Sequence, residues 1–230
     1  MNLSLLNNHI VINESENILV DTGSPYSFHP SGFLTLDNDK VEVRSSLPGL
    51  SREYLSEKVG ADIHGLIGMD IINKLPTFFH LRHGFIYFND DGEYYGHPSF
   101  NMYKLPSVAR GLFAIIISVN HHFAKMIVDS GAPISYIHPR FLEGLTPDAT
   151  LVDFSPYIGE FQTQTYICDV DILVNTSHET RYKQAFGIPP AAISMILKQF
   201  NVDGIIGVEL FKRYTMRVKN GVLNFPPQGI

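Results

Sequence analysis

The stretch Ile18-Leu19-Val20-Asp21-Thr22-Gly23-Ser24-Pro25-Tyr26-Ser27-Phe28 is written a second time as Met126-Ile127-Val128-Asp129-Ser130-Gly131-Ala132-Pro133-Ile134-Ser135-Tyr136. In each copy a short apolar run containing a β-branched residue delivers an aspartate into a turn that a glycine allows, and a second β-type run follows. Each carboxylate is therefore expected where a buried strand ends.

The repeat reaches beyond this motif. Ser27 to Leu34 matches Ser135 to Leu142 in its His-Pro and Phe-Leu pairs, and Gly65-Leu66-Ile67-Gly68 returns as Gly204-Ile205-Ile206-Gly207. A closing hairpin, Leu81 to Phe88, is matched by Val218 to Phe225 with its Asn220-Gly221 turn. Matched blocks in one order define a duplicated half. The spacing between blocks is longer in the second copy, which leaves room there for additional strand and helix. The expected division is residues 1–105 and 106–230, each half carrying one aspartate.

Composition bounds what such a pair can do. At 230 residues and 44% hydrophobic, the chain can bury a large core. Charged residues make up 17% and the net charge is -6, so a nucleic-acid partner has no electrostatic footing. Cys168 is the single cysteine, which excludes an intramolecular disulfide and suits a reducing, cytoplasmic setting. The first residues carry no basic start followed by a sustained apolar core, so no secretion signal is read. The apolar run Leu112 to Val119 is far short of the roughly 20 residues that span a bilayer, and no membrane partner is expected. No His-Glu-x-x-His pattern and no phosphate-cradling glycine loop occur, so neither a metal nor a cofactor is expected.

In chain order, residues 8 to 22 read as a hairpin entering Asp21. Val41 to Leu55, turning at Pro48-Gly49, reads as a second hairpin. A short helix follows Gly68. Residues 89 to 110 read as an irregular connection between lobes. The second half repeats the entering hairpin over Leu112 to Val128, then gives strands near Thr163 to Val174 and Thr180 to Phe186, and a helix over Pro189 to Phe200.

A duplicated half with one acid suggests two copies meeting across a pseudo-twofold axis, as in a symmetric dimer fused into one chain. Two aspartates then face each other. Carboxylates at such range cannot both ionise easily, so the pair holds a shared proton and offers one acid and one base together.

Asp21-Thr22-Gly23 and Asp129-Ser130-Gly131, each followed by its aliphatic-aliphatic-glycine segment, resemble the aspartic peptidases of the pepsin and retropepsin type. The likeness covers nearly the whole chain, twice. It implies an all-β, two-lobed acid-protease fold with a pseudo-twofold internal repeat and a few short helices. It implies an endopeptidase acting on an extended peptide or protein substrate, with Asp21 and Asp129 as the catalytic dyad within one chain. Thr22 and Ser130 would cross-bond beneath the dyad, Gly23 and Gly131 would permit tight turns, and the aliphatic-glycine segments would back the loops.

At the fourth motif position Ser24 faces Ala132 in the other copy, and a hydroxyl donated to the adjacent carboxylate would favour its ionised form. That asymmetry predicts a pH optimum less acidic than that of gastric pepsins. The flaps over the substrate are expected at Leu47 to Tyr54 and Ile158 to Tyr166, with Tyr54 as a substrate contact. Asp70 and Glu209 occupy equivalent helix starts and read as caps or solvated charges. The competing class is a peptide-binding or protein-binding module that keeps the fold without turnover.

Overall fold

The apolar runs that enter the two aspartates are strands, and each is buried because a parallel neighbour covers it. The computed structural model describes residues 1–37, 39–89, 99–155, 158–172, 181–219 and 222–224. In the first half, β1 (Leu3–Leu6), β2 (His9–Asn13) and β3 (Asn17–Val20) form an antiparallel meander, followed by the hairpin β4 (Phe33–Leu36) and β5 (Asp39–Glu42). Helix α1 (Arg52–Val59), β6 (Gly65–Ile67), α2 (Met69–Ile72), β7 (Thr77–His80) and β8 (Phe85–Tyr87) complete it. Strand β6 lies parallel to β3 with Leu19 opposite Leu66, so the aliphatic-glycine segment sits directly beside the strand that delivers Asp21.

After β9 (Ser99–Asn101) and β10 (Tyr103–Lys104), the second half opens with β11 (Phe113–Val119) and β12 (His122–Val128). It continues through β13 (Ser135–Ile137), β14 (Ala149–Ser155), β15 (Gly159–Asp171), β16 (Arg181–Gly187), α3 (Ala191–Phe200), β17 (Gly204–Ile206), α4 (Glu209–Arg213), β18 (Met216–Lys219) and β19 (Val222–Asn224). Strand β17 lies parallel to β12 with Ile127 opposite Ile205, repeating the β3–β6 arrangement. The halves then meet in a five-stranded sheet ordered β8-β7-β18-β19-β9, where Phe79 of the first half pairs with Met216 of the second. This is an all-β, two-lobed, pepsin-like architecture with an internal pseudo-twofold and, among the described residues, four short α-helices.

Alternation along the strands sorts side chains between two cores. Ile10, Ile12, Ile18 and Val20 join the main core, which also takes Phe113, Ile115 and Val128 from the second half. Val11 and Leu19, between them, point to the other face and meet Phe28, Leu55, Val59, Ile63 and Leu66. That smaller cluster is what holds α1 on the sheet.

Two expectations are corrected by these elements, and two strands, β1 and β14, are added to them. Residues 52–59 are helical, not the return strand of a hairpin at Pro48-Gly49. The Ser51 hydroxyl accepts the Tyr54 N–H at 3.1 Å to cap the first turn, and Gly60 closes the last in the left-handed region at φ 70°. The connection at 89–110 contains β9 and β10, because the shared sheet and the β11 edge both offer unpaired backbone groups to it. Strand β1 covers the open side of β2. Strand β14 pairs with β15 over its full length, from Ala149 opposite Thr165 to Ser155 opposite Gly159. The Asn220-Gly221 turn, Phe225, Val174 and Thr180 lie outside the described residues.

Candidate active site

Asp21 and Asp129 stand at equivalent strand ends, held by equivalent bonds. The Asp21 N–H donates to the Ile67 carbonyl at 2.9 Å, and the Asp129 N–H donates to the Ile206 carbonyl at 2.9 Å. Behind each loop the aliphatic-glycine segment comes close: Met69 N–H reaches the Ser24 carbonyl at 2.9 Å and Val208 N–H reaches the Ala132 carbonyl at 3.0 Å.

The two loops are tied to each other beneath the carboxylates. Thr22 N–H donates to Ser130 Oγ at 2.9 Å, while Ser130 N–H donates to Thr22 Oγ1 at 2.9 Å. The hydroxyls in turn donate across the halves, Thr22 to the Val128 carbonyl at 2.8 Å and Ser130 to the Val20 carbonyl at 2.7 Å. Both side chains are fully buried. Four bonds thus satisfy both hydroxyls and both backbone N–H groups at the junction, as groups in a buried polar network must be to stabilise the fold.

Gly23 and Gly131 have a different reason to be glycine than the turn expected of them. Neither adopts left-handed backbone. Instead, a Cβ on Gly23 would overlap the Asp129 carboxyl group, and one on Gly131 would overlap that of Asp21. Each carboxyl packs against the other half's glycine, which brings the two acids together.

Within this arrangement Gly23 N–H and Ser24 N–H donate to Asp21 Oδ1 at 2.8 and 3.1 Å, and Gly131 N–H donates to Asp129 Oδ1 at 2.9 Å. Burial raises the proton affinity of both carboxyls above the ordinary value, and Asp21 as a neighbouring anion raises that of Asp129 further. The pair therefore keeps a proton into the range where an isolated carboxyl would have lost it. The Ser24 hydroxyl does not serve Asp21. It donates to the Tyr26 carbonyl at 2.9 Å, so the side-chain asymmetry with Ala132 gives no ground for a shifted pH optimum.

Two serines at matching positions clasp the aliphatic-glycine segments. Ser27 Oγ accepts Gly68 N–H at 2.8 Å and donates to Asp70 Oδ1 at 2.5 Å; Ser135 Oγ accepts Gly207 N–H at 2.9 Å and also bonds the Gln184 amide. Their recurrence in the repeat was a readable signal for this role. Asp70 is accordingly a positioning acid for the first loop, while Glu209 pairs with Lys212 at 2.7 Å on the surface.

The β14–β15 hairpin occupies the stretch near Ile158 to Tyr166 where a flap is expected. The first half has α1 in place of a hairpin, so Tyr54 lies on a helix, where its ring meets Phe154 of the flap edge-on at 5.9 Å between centroids. Lys58 lies 5.6 Å from the same Phe154 ring. Near the tip of the hairpin the Tyr136 hydroxyl donates to the Asp153 carboxylate. An open cavity of about 480 Å³ lies between these parts, lined among others by His9, Lys58, Ile134, Asp153 and Glu160.

His9 had no motif to announce it. It is 5% exposed at the start of β2, against the backbone of Gly131, with Asp21 and Asp153 as its nearest anions, and burial lowers its proton affinity despite them. Only the tertiary arrangement reveals it, because the β1–β2 turn comes under the flap of the other half. Among the described residues no group of three or more His, Cys, Asp or Glu forms a metal-binding cluster, and no helix is long and apolar enough to cross a membrane.

No family model and no curated protein matches the chain. Among solved structures it is similar to basic 7S globulin from soybean, at 8% identity over 98% of this chain and 95% of that one, with a TM-score of 0.52. It is also similar to a retropepsin-like aspartic protease from Rickettsia conorii, at 18% identity over 56% of this chain and 89% of that one, with a TM-score of 0.37. The soybean likeness runs almost end to end and identifies the shared pepsin-like fold. At such identity it speaks to fold alone.

Proposed function

We propose that the chain is an aspartic endopeptidase that hydrolyses an extended polypeptide with a water activated between Asp21 and Asp129. The observation that carries this reading is the mutual packing of each carboxyl on the opposite glycine above the Thr22–Ser130 cross-bond. The ionised member of the pair takes a proton from the attacking water, and the protonated member donates to the carbonyl oxygen of the scissile bond. The tetrahedral diol then collapses with proton delivery to the leaving amine, and no covalent intermediate forms. Backbone N–H donors from Gly23, Ser24 and Gly131 hold both carboxyls in place for this exchange. From opposite halves the flap and α1 meet across one end of the cleft, and an extended chain would be recognised through its backbone, with alternate side chains in pockets.

The test is cleavage of a diverse unfolded-protein mixture by the native chain, Asp21→Asn and Asp129→Asn. Cleavage abolished in both variants supports a working dyad. A folded native chain that cuts nothing from acidic to neutral pH overturns the reading.

A second reading, a peptide-binding module without turnover, is favoured by the Tyr54–Phe154 contact, which joins the flap to the opposite half across the cleft. Stoichiometric binding of peptides that emerge uncut would establish it.

A further inference from the structure

The two sides of the cleft differ in charge, and the difference is centred on equivalent residues. Ile134 lines the flap-side cavity, together with Asp153, Glu160 and the Glu57–Lys58 ion pair. Its counterpart in the repeat is Tyr26, on the other side of the pseudo-twofold. There the environment is cationic. Arg44 lies over the Tyr26 ring with Cζ 3.6 Å from the centroid, and Arg110 Nη1 donates to the Tyr26 hydroxyl at 2.6 Å.

The two arginines come from unrelated segments. Arg44 follows β5, where its carbonyl accepts the His29 N–H at 3.0 Å and fixes it beside the strand leaving the first loop. Arg110 sits in the turn before β11, in left-handed backbone at φ 49°, next to Gly111, whose carbonyl accepts the Asn73 amide at 3.0 Å. Tyr26 itself is anchored through its carbonyl to Ser24. Among the described residues neither guanidinium has a carboxylate within ion-pair distance. Gathering two like charges round one ring costs free energy that the ring face offsets only in part. In a chain of net charge -6, this pair of arginines lacks a counter-anion where a substrate would supply one.

We infer that Arg44 and Arg110 form an anion-accepting substrate subsite on the Tyr26 side of the cleft, which takes a carboxylate of the polypeptide substrate. The planar guanidinium forks suit a carboxylate, and both remain accessible at the surface. Either an Asp or Glu side chain or a chain-terminal carboxylate meets this requirement. The placement rests on the peptidase reading for the path of the substrate, and the experiment separates the two.

The probes are extended peptides with both ends blocked, in which a single Glu is moved along a neutral sequence. Gln and Lys counterparts and a Gln peptide with a free C-terminal carboxylate complete the set. Binding is measured on the full-length Asp129→Asn chain and cleavage on the native chain. The expected result is one register in which Glu binds about three- to tenfold tighter than Gln, and Lys weaker than both, with the preference shrinking as salt rises. The same preference should collapse in Arg44→Gln and Arg110→Gln chains whose melting temperatures match the native one. Tighter binding of the free-carboxylate peptide alone assigns the subsite to a chain terminus. Equal binding of Glu, Gln and Lys peptides at every position overturns the inference, and dyad-dependent cleavage of those peptides would leave the peptidase reading standing. A Glu preference in binding with no cleavage at all retains the subsite and overturns the peptidase.

Discussion

Thr22 and Ser130 exchange hydrogen bonds in both directions, each N–H donating to the other's hydroxyl at 2.9 Å. Each hydroxyl also donates a hydrogen bond to a carbonyl of the opposite half. Removing one hydroxyl therefore strands a buried N–H and a buried carbonyl together.

For Ser130→Ala the expected cost is about 1–3 kcal/mol per group left unsatisfied, read as a fall in unfolding midpoint. Ser130→Thr keeps both bonds and adds one methyl. It should cost far less, and in a denaturant titration it should stay near the native midpoint. A Ser130→Ala chain as stable as the native one would mean that the cross-bond holds nothing.

Gly23→Ala tests the other half of the junction. Its new methyl must displace the Asp129 carboxyl, so the change should cost about 1–3 kcal/mol of stability and most of the catalytic activity. Gly49, in left-handed backbone with open space around it, is a contrasting glycine. Alanine there strains the turn without touching the dyad, and turnover by the folded chain should persist.

Each dyad carboxyl has a proton affinity raised by burial, and the sign of the stability effect follows. Above the ordinary carboxyl value of 3.8 the folded chain holds protons that the unfolded chain has released, so stability from these groups is lost as pH rises through their folded values. Asp129→Asn removes the titration and can keep the bond from Gly131. It should melt higher than the native chain near neutral pH, with the gap closing on acidification, while cleavage falls by about 10²–10⁴-fold or more. Melting curves paired with cleavage rates check both parts.

His9 works in the opposite sense. Its folded value is depressed below 6.5, so the unfolded chain binds the proton first as pH falls, and stability contributed by neutral His9 declines below 6.5. His9→Gln should flatten that acid-side decline and move the pH of maximum stability downward. Unchanged melting profiles between 3.8 and 6.5 would remove His9 from the balance.

The duplicated motif made the strand-end aspartates, their glycines and their cross-bonding hydroxyls legible, because a repeat in register exposes which side chains both halves need. It also carried Ser27 and Ser135, whose shared clasp on Gly68 and Gly207 becomes clear only when the bonds are seen. Helix α1 was hidden for a physical reason. It buries only Leu55 and Val59, too few for a helical stripe, and its caps at Ser51 and Gly60 were the remaining local signals. His9, Arg44 and Arg110 were beyond reach, since each acquires its setting from segments distant in the chain.

Tyr54 has a role that follows from α1 being a helix. Its ring bears on Phe154 across the cleft, and Lys58, one turn on, faces the same ring while its charge also feels Glu160 of β15. An aromatic pair of this kind contributes about 0.5–1.5 kcal/mol beyond its buried area. Tyr54→Ala should therefore loosen the flap without unfolding the chain, raising amide hydrogen exchange over Ala149–Ser155 while the Thr22–Ser130 junction stays protected. On a cleaved peptide the same change should raise KM roughly two- to tenfold. Tyr54→Phe, which keeps the ring, should restore both readouts. If exchange over β14 is the same in all three chains, the flap is held by β15 alone and the helix only borders it.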